Sequence, residues 1–174
     1  MLRILTMALG CWVVAVAGQA AAQVSLAPKP SPVLGTTIRG TSPTTFRITT
    51  SGIVTRLSGD AIRLSNSVIT TPTVSFNCGL LNLGGLCALR ALRVTLSPMP
   101  GSAAAISRFR VSNLSGATYR TGSAPAEAQV LVFELNALGL LSTASFVVGM
   151  DVVLDAGATP GAHGFPFTVM VELL

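Results

Sequence analysis

The chain is poor in the residues that carry most enzyme chemistry. Its 174 residues include one histidine, six acids, one tyrosine and one tryptophan, and charged residues make up 10% of the whole. His163 stands in Pro160-Gly161-Ala162-His163-Gly164, which reads as an exposed hairpin tip. A nucleophile therefore has no candidate base and orienting group in any local motif. The acids are Asp60, Glu127, Glu134, Asp151, Asp155 and Glu172. Asp151 and Asp155 share strand parity, yet four residues of strand separate them by roughly 13 Å, beyond the spacing of glycosidase carboxylates. They read as solvent-facing charges. No Lys-Ser/Thr follows Gly84-Gly85, so these glycines do not form a phosphate loop. The scarcity of aromatic residues also argues against nucleic acid, which is bound through basic residues interleaved with stacking rings. These absences point away from an enzyme and away from a cofactor.

Long apolar runs are equally scarce, and the exception lies at the start. Arg3 supplies a short positive region, Ile4 to Ala17 is apolar and uncharged, and Ala20 and Ala22 fit the small-residue rule for cleavage before Gln23. Residues 1–22 thus read as a secretory signal peptide. The run is too short for a transmembrane anchor, which needs about 20 apolar residues. Cys11 follows Ala8-Leu9-Gly10, faintly like a lipoprotein box, but fits an ordinary apolar position of the signal. Export places the protein in the periplasm, at the cell surface or outside the cell. Loss of Arg3 lowers the net charge from +5 to +4.

Only Cys78 and Cys87 remain after the signal. In an oxidising compartment a close pair reads as one disulfide, and Gly79, Gly84 and Gly85 between them allow a tight reversal. Zinc would require more ligands than two cysteines and a distant histidine.

What is present in quantity is alternation. Residues 23–44 hold Pro28, Pro30, Pro32 and Pro43 and read as an extended leader, where Val24 and Leu26 begin an alternating pattern that the prolines cut short. Residues 45–174 then read as one β-domain. Phe46 and Ile48 alternate with Arg47 and Thr49; Ile53, Thr55 and Leu57 share a parity; Ile62 and Leu64 follow the turn Ser58-Gly59-Asp60. Val74-Phe76-Cys78, Leu92-Val94-Leu96 and Leu131-Phe133-Leu135 continue the pattern. Phe146, Val148, Met150, Val152 and Leu154 form one face, and Phe165, Phe167, Val169, Val171 and Leu173 a last one. Period-2 alternation between Gly, Pro, Asn and Ser breaks is the mark of half-buried strands. Pro166 suggests that the last strand begins at an edge or bulge. Ser102 to Ile106 could make one helical turn, and Leu135 to Leu141 has ambiguous helical spacing. The expectation is an all-β antiparallel sandwich or barrel, with the sandwich favoured by uneven strands and irregular loops.

The stretch SFVVGMDVVLDAGATPGAHGFPFTVMVEL, residues 145–173, resembles the end of a bacterial secreted domain family of unknown function related to spore coat protein U, which looks pilin-like. Phe146, Val148, Gly149, Val152 and Leu154 match its Gly-containing strand, Gly161 and Gly164 its hairpin, and Phe167, Val169 and Val171 its final strand. The resemblance implies an immunoglobulin-like β-sandwich, secreted and assembled at the cell surface with itself or other subunits by a chaperone–usher route.

Arginine is the most suggestive polar signal, supplying ten of the eleven basic residues. Arg108 and Arg110 flank Phe109 and would share one strand face, with Arg90 and Arg93 nearby in sequence. Such a face could meet an anionic polymer or lipid headgroups, or simply solubilise the sheet. The sequence thus leads to a non-catalytic structural or surface subunit. The alternative is a secreted module that binds an anionic envelope polysaccharide through Arg90, Arg93, Arg108 and Arg110.

Overall fold

A computed structural model describes residues 23–27, 32–78, 87–100 and 104–174. The signal segment 1–22, the glycines between the two cysteines, and Ser102 lie outside the described residues. Within them the chain is all-β and antiparallel throughout.

The strands are β1 (Gln23–Ala27), β2 (Val33–Ile38), β3 (Thr44–Ile48), β4 (Val54–Ser58), β5 (Ile62–Arg63), β6 (Thr73–Asn77), β7 (Leu92–Pro98), β8 (Ala104–Ser115), β9 (Leu131–Leu135), β10 (Thr143–Leu154), β11 (Gly161–Gly164) and β12 (Phe167–Leu173). The largest sheet is organised by β10. One edge of this twelve-residue strand pairs with β8 along most of its length; the other pairs with β6 through Thr143–Val147 and with β3 through Met150–Leu154. Strand β1 extends the sheet beyond β6, and β4 extends it beyond β3. A second sheet has the order β12-β7-β9, and a third, small one the order β11-β2-β5.

Alternation explains why these segments are strands: each places one set of side chains in a shared core. Phe146, Val148, Met150, Val152 and Leu154 of β10 are all buried, as are Phe46 and Ile48 of β3, Val74 and Phe76 of β6, and Leu92, Val94 and Leu96 of β7. Rings join the sheets. Phe133 of β9 meets Phe146 of β10 edge-on at 5.4 Å, and Phe167 of β12 meets Phe109 of β8 at 5.5 Å. Burying each such ring contributes about 1.5–3 kcal/mol. Cys78 and Cys87 are both buried and form a disulfide. Backbone bonds hold its two ends against residues 138–142: Leu141 N–H donates to the Cys78 carbonyl, and Leu138 N–H to that of Cys87.

Several expectations change. The stretch 23–44 contains two paired strands, β1 and β2. Ile53, Thr55 and Leu57 share one face, and that face points to solvent. Register sets Val54 opposite Ile48 and Arg56 opposite Phe46, so Ile53 and Leu57 face outward, 53% and 49% exposed. An edge strand has one neighbour, and here its apolar residues mislead. Ala104–Ile106 begins β8 and is not helical, and residues 136–142 form a loop with one turn at Leu140-Leu141. Strand β11 pairs with β2 rather than folding back on β12. His163 lies on β11, half-buried, with Nε2 3.0 Å from the Thr159 carbonyl oxygen. Finally, Asp151 is 4% exposed and is not a solvent-facing charge.

Candidate functional site

Asp151 marks the largest concentration of charge in the protein. It stands on β10 opposite Arg47 of β3 on one side and Arg108 of β8 on the other. Arg47 donates to it from both Nε and Nη2, each at 3.0 Å, and Arg110 donates from Nη2 at 2.7 Å. Arg110 also donates from Nε and Nη2 to the two carboxylate oxygens of Glu127, at 2.9 and 3.2 Å, and from Nη1 to the Ile48 carbonyl. Glu127 arrives because the neighbouring Ala128 forms a two-bond bridge with Phe109. Arg108 reaches Glu127 only at 3.7 Å and stays half exposed.

Local sequence explains how two arginines leave one strand together. Phe109 between them is fully buried, so Arg108 and Arg110 take the opposite face. The register slips between Asp151 and Val152, where Ser107 is the extra residue on β8 and its hydroxyl donates to the Asp151 carbonyl. Such a bulge re-aims the side chains that follow. Gly149, opposite Arg110, leaves the arginine stem room to cross the sheet. A Cβ there would stand 2.9 Å from Arg110 Cγ and 2.8 Å from the Ile48 carbonyl oxygen.

Burial alone would push the Asp151 carboxyl up, but the hydrogen bonds and charges of Arg47 and Arg110 outweigh it and hold it below the usual carboxylate range. Glu127 is lowered too, chiefly by its hydrogen bonds from Arg110. Arg47 and Arg110 thus meet two ionised acids through charge-assisted bonds, and Arg108 adds a longer contact. The arrangement ties β3, β8 and β10 together across the sheet.

Of the four arginines singled out in the sequence, three stand on strands of two sheets and Arg90 lies in the bend before β7. Arg108 and Arg110 share the network just described. Arg93, on β7, donates to Glu134 of β9 at 3.0 Å, and Arg120 meets the other oxygen of Glu134 at 3.2 Å. Arg90 donates from Nε to the Leu174 carbonyl. Three of the four, Arg93, Arg108 and Arg110, are therefore engaged by acids of the same chain.

Sequence reasoning missed a different group. Arg39, Arg56 and Arg63 have no carboxylate within ion-pair distance among the described residues, which include all six acids. The nearest acid in sequence, Asp60, is occupied: its two oxygens accept from the backbone N–H and hydroxyl of both Thr41 and Ser42, at 2.6–3.0 Å. Those four donors hold its titration far below the usual carboxylate range. Turn residues of the type Thr-Ser and Ser-Gly-Asp were the available signal. No helix among the described residues is long and apolar enough to cross a membrane.

Comparison with protein-family models, curated proteins and solved structures gives no match.

Proposed function

We propose that this chain is an exported, non-catalytic structural subunit of the bacterial surface. It is pilin-like or coat-like, built as an immunoglobulin-like β-sandwich and assembled by a chaperone–usher route. The sandwich reading is supported by the ring contacts that face β9 and β12 of one sheet onto β10 and β8 of the other. The observation that carries the assembly reading is the way the sheets end. Strand β12, near the chain terminus, is the edge of its sheet, and β1 caps the edge of β6 with only five residue pairs. Edges of this kind accept strands from partners through backbone hydrogen bonds and alternate side chains.

The test is to isolate the protein from its native envelope fraction and size it at low and high salt. Multimers that persist at high salt are expected, because backbone pairing and apolar contacts are little screened. A monomer at both salt concentrations, with nothing bound, would overturn the reading.

A second reading is a binding module for an anionic envelope polysaccharide. It is favoured by one observation: Arg39, Arg56 and Arg63, close in sequence, carry charge that no acid of the chain offsets.

A further inference from the structure

Between β4 and β5 lies a cleft of about 420 Å³ lined by Phe46, Val54, Arg56, Ala61, Ile62, Arg63, Ser65 and Asn66. Its size falls in the range of small-ligand sites. Val54, half-buried, and Ile62, 52% exposed, supply an apolar floor over the buried Phe46 and Ala61, while Ser65 and Asn66 bring a hydroxyl and an amide.

Both arginines of the cleft are positioned by the backbone, not by acids. Arg56 donates from Nη1 to the Ala61 carbonyl at 3.2 Å. That leaves its Nε–Nη2 edge without a partner among the described residues, and this is the edge that grips a carboxylate with two parallel bonds. Arg63 donates from Nε to the Leu34 carbonyl and from Nη2 to the Ser67 carbonyl, which leaves Nη1. Arg63 is half-buried with no counter-charge, and burial alone makes its proton easier to lose. A desolvated cation gains most from an anionic partner.

We propose that this cleft binds one carboxylated sugar unit, a uronate, of an acidic polysaccharide. This rests on the second reading above, and it moves the contact from Arg90, Arg93, Arg108 and Arg110 to Arg56 and Arg63. The carboxylate lies on the open edge of Arg56 with Arg63 beside it. The apolar floor takes the C–H face of the ring, and Ser65 and Asn66 meet its hydroxyls. A uronate fits better than a bare phosphate because an inorganic anion would leave the apolar floor unused.

The experiment is calorimetric titration of the purified exported protein with oligogalacturonate. Parallel arms use a neutral galacto-oligosaccharide, inorganic phosphate and phosphatidylglycerol vesicles. Expected results are binding of the uronate oligomer, at least about tenfold weaker binding of the neutral one, and weakening with added salt. Arg56→Ala should weaken uronate binding at least about tenfold, and Arg56→Lys should restore only part of it, because lysine lacks the two-pronged edge. Arg108→Ala should leave binding unchanged. Thermal melting of each variant separates lost binding from lost folding; Arg56 makes one backbone bond, so its variants should melt close to the parent.

Uronate binding that survives Arg56→Ala would overturn the site while leaving the binding-module reading intact. Absence of uronate binding would overturn both. Capture by the vesicles or by phosphate without uronate binding would assign the cleft to a different anion and overturn the proposal.

Discussion

Asp151 lies between two guanidiniums, so its removal strands charge on both sides. Arg47 can turn toward water and Arg110 retains Glu127, which limits the damage. Asp151→Ala should therefore cost about 1.5–3 kcal/mol in chemical denaturation, the range for hydrogen bonds to charged groups. Acid should reveal the same interaction. The Asp151 carboxyl is depressed in the folded protein relative to the unfolded value of about 3.9. Its contribution is fully present above that pH and is lost as pH falls through the folded value. Unfolding free energy measured between pH 6 and pH 3 should thus fall more steeply for the native protein than for Asp151→Asn. Parallel curves would show that the pair does not stabilise the fold. A contrast on β12 tests the core in the same way. Phe167 is buried against the ring of Phe109, whereas Glu172 is exposed and makes no ion pair among the described residues. Phe167→Ala should cost about 3–5 kcal/mol, and Glu172→Ala should stay within about 0.5 kcal/mol. Equal effects would contradict the register of the strand.

At the scale of elements, β10 controls the fold because it is paired on both edges. Gly149 is its most constrained position, with the Arg110 stem and the Ile48 carbonyl where a Cβ would go. Gly149→Ala should cost about 1–3 kcal/mol through overpacking. The cost should shrink when Arg110→Ala is added, since one of the two clashes is then gone; purely additive losses would place the strain elsewhere. The disulfide clamps β6 to the segment before β7. Neither Cys78 nor Cys87 should be alkylatable in native protein, and breaking the bond should cost about 2–3 kcal/mol by the loop-entropy argument. Strands with one continuous buried face were legible in the sequence. For β3, β6, β7, β9, β10 and β12 a buried face forces strict alternation, and the alternation shows. The rest was hidden for physical reasons. Strand β4 has one neighbour, so its outward Leu57, and Ile53 just before it, meet no penalty severe enough to remove them. Strands β1 and β2 are flanked by prolines that read as a leader. In β8 the register slips at Ser107, and again near Asn113, whose φ of 54° suits asparagine better than most residues. Those slips break a period-2 reading. Asp151 looked exposed because Arg47 and Arg110 lie 104 and 41 residues away, and no local pattern joins them.

At the scale of the whole molecule the question is how its open edges are managed. A row of unpaired backbone groups invites another chain, and natural proteins blunt such rows with lysine, proline or a covering segment. Strand β12 carries neither lysine nor proline within its span: it reads Phe167-Thr168-Val169-Met170-Val171-Glu172-Leu173, with Met170 51% exposed at its middle. Its only charge is Glu172, near the end. If assembly uses this edge, the apolar centre of the strand is the part that a partner must cover. Met170→Lys places a charge there without touching the core, since Phe167 and Val171 supply the buried contacts. The variant should keep its melting temperature within a few degrees and yet lose self-association at least about tenfold in sedimentation velocity, at low and high salt alike. A salt-sensitive association that ignores Met170→Lys would instead follow the arginine charge, and Arg56→Ala in the same experiment would then show whether the cleft carries it. Unchanged association in both variants would move the contact to the β1 edge, where Val24 and Leu26 pack against the core beside β6. There Leu26→Asp should loosen the strand and change the size of the assembly.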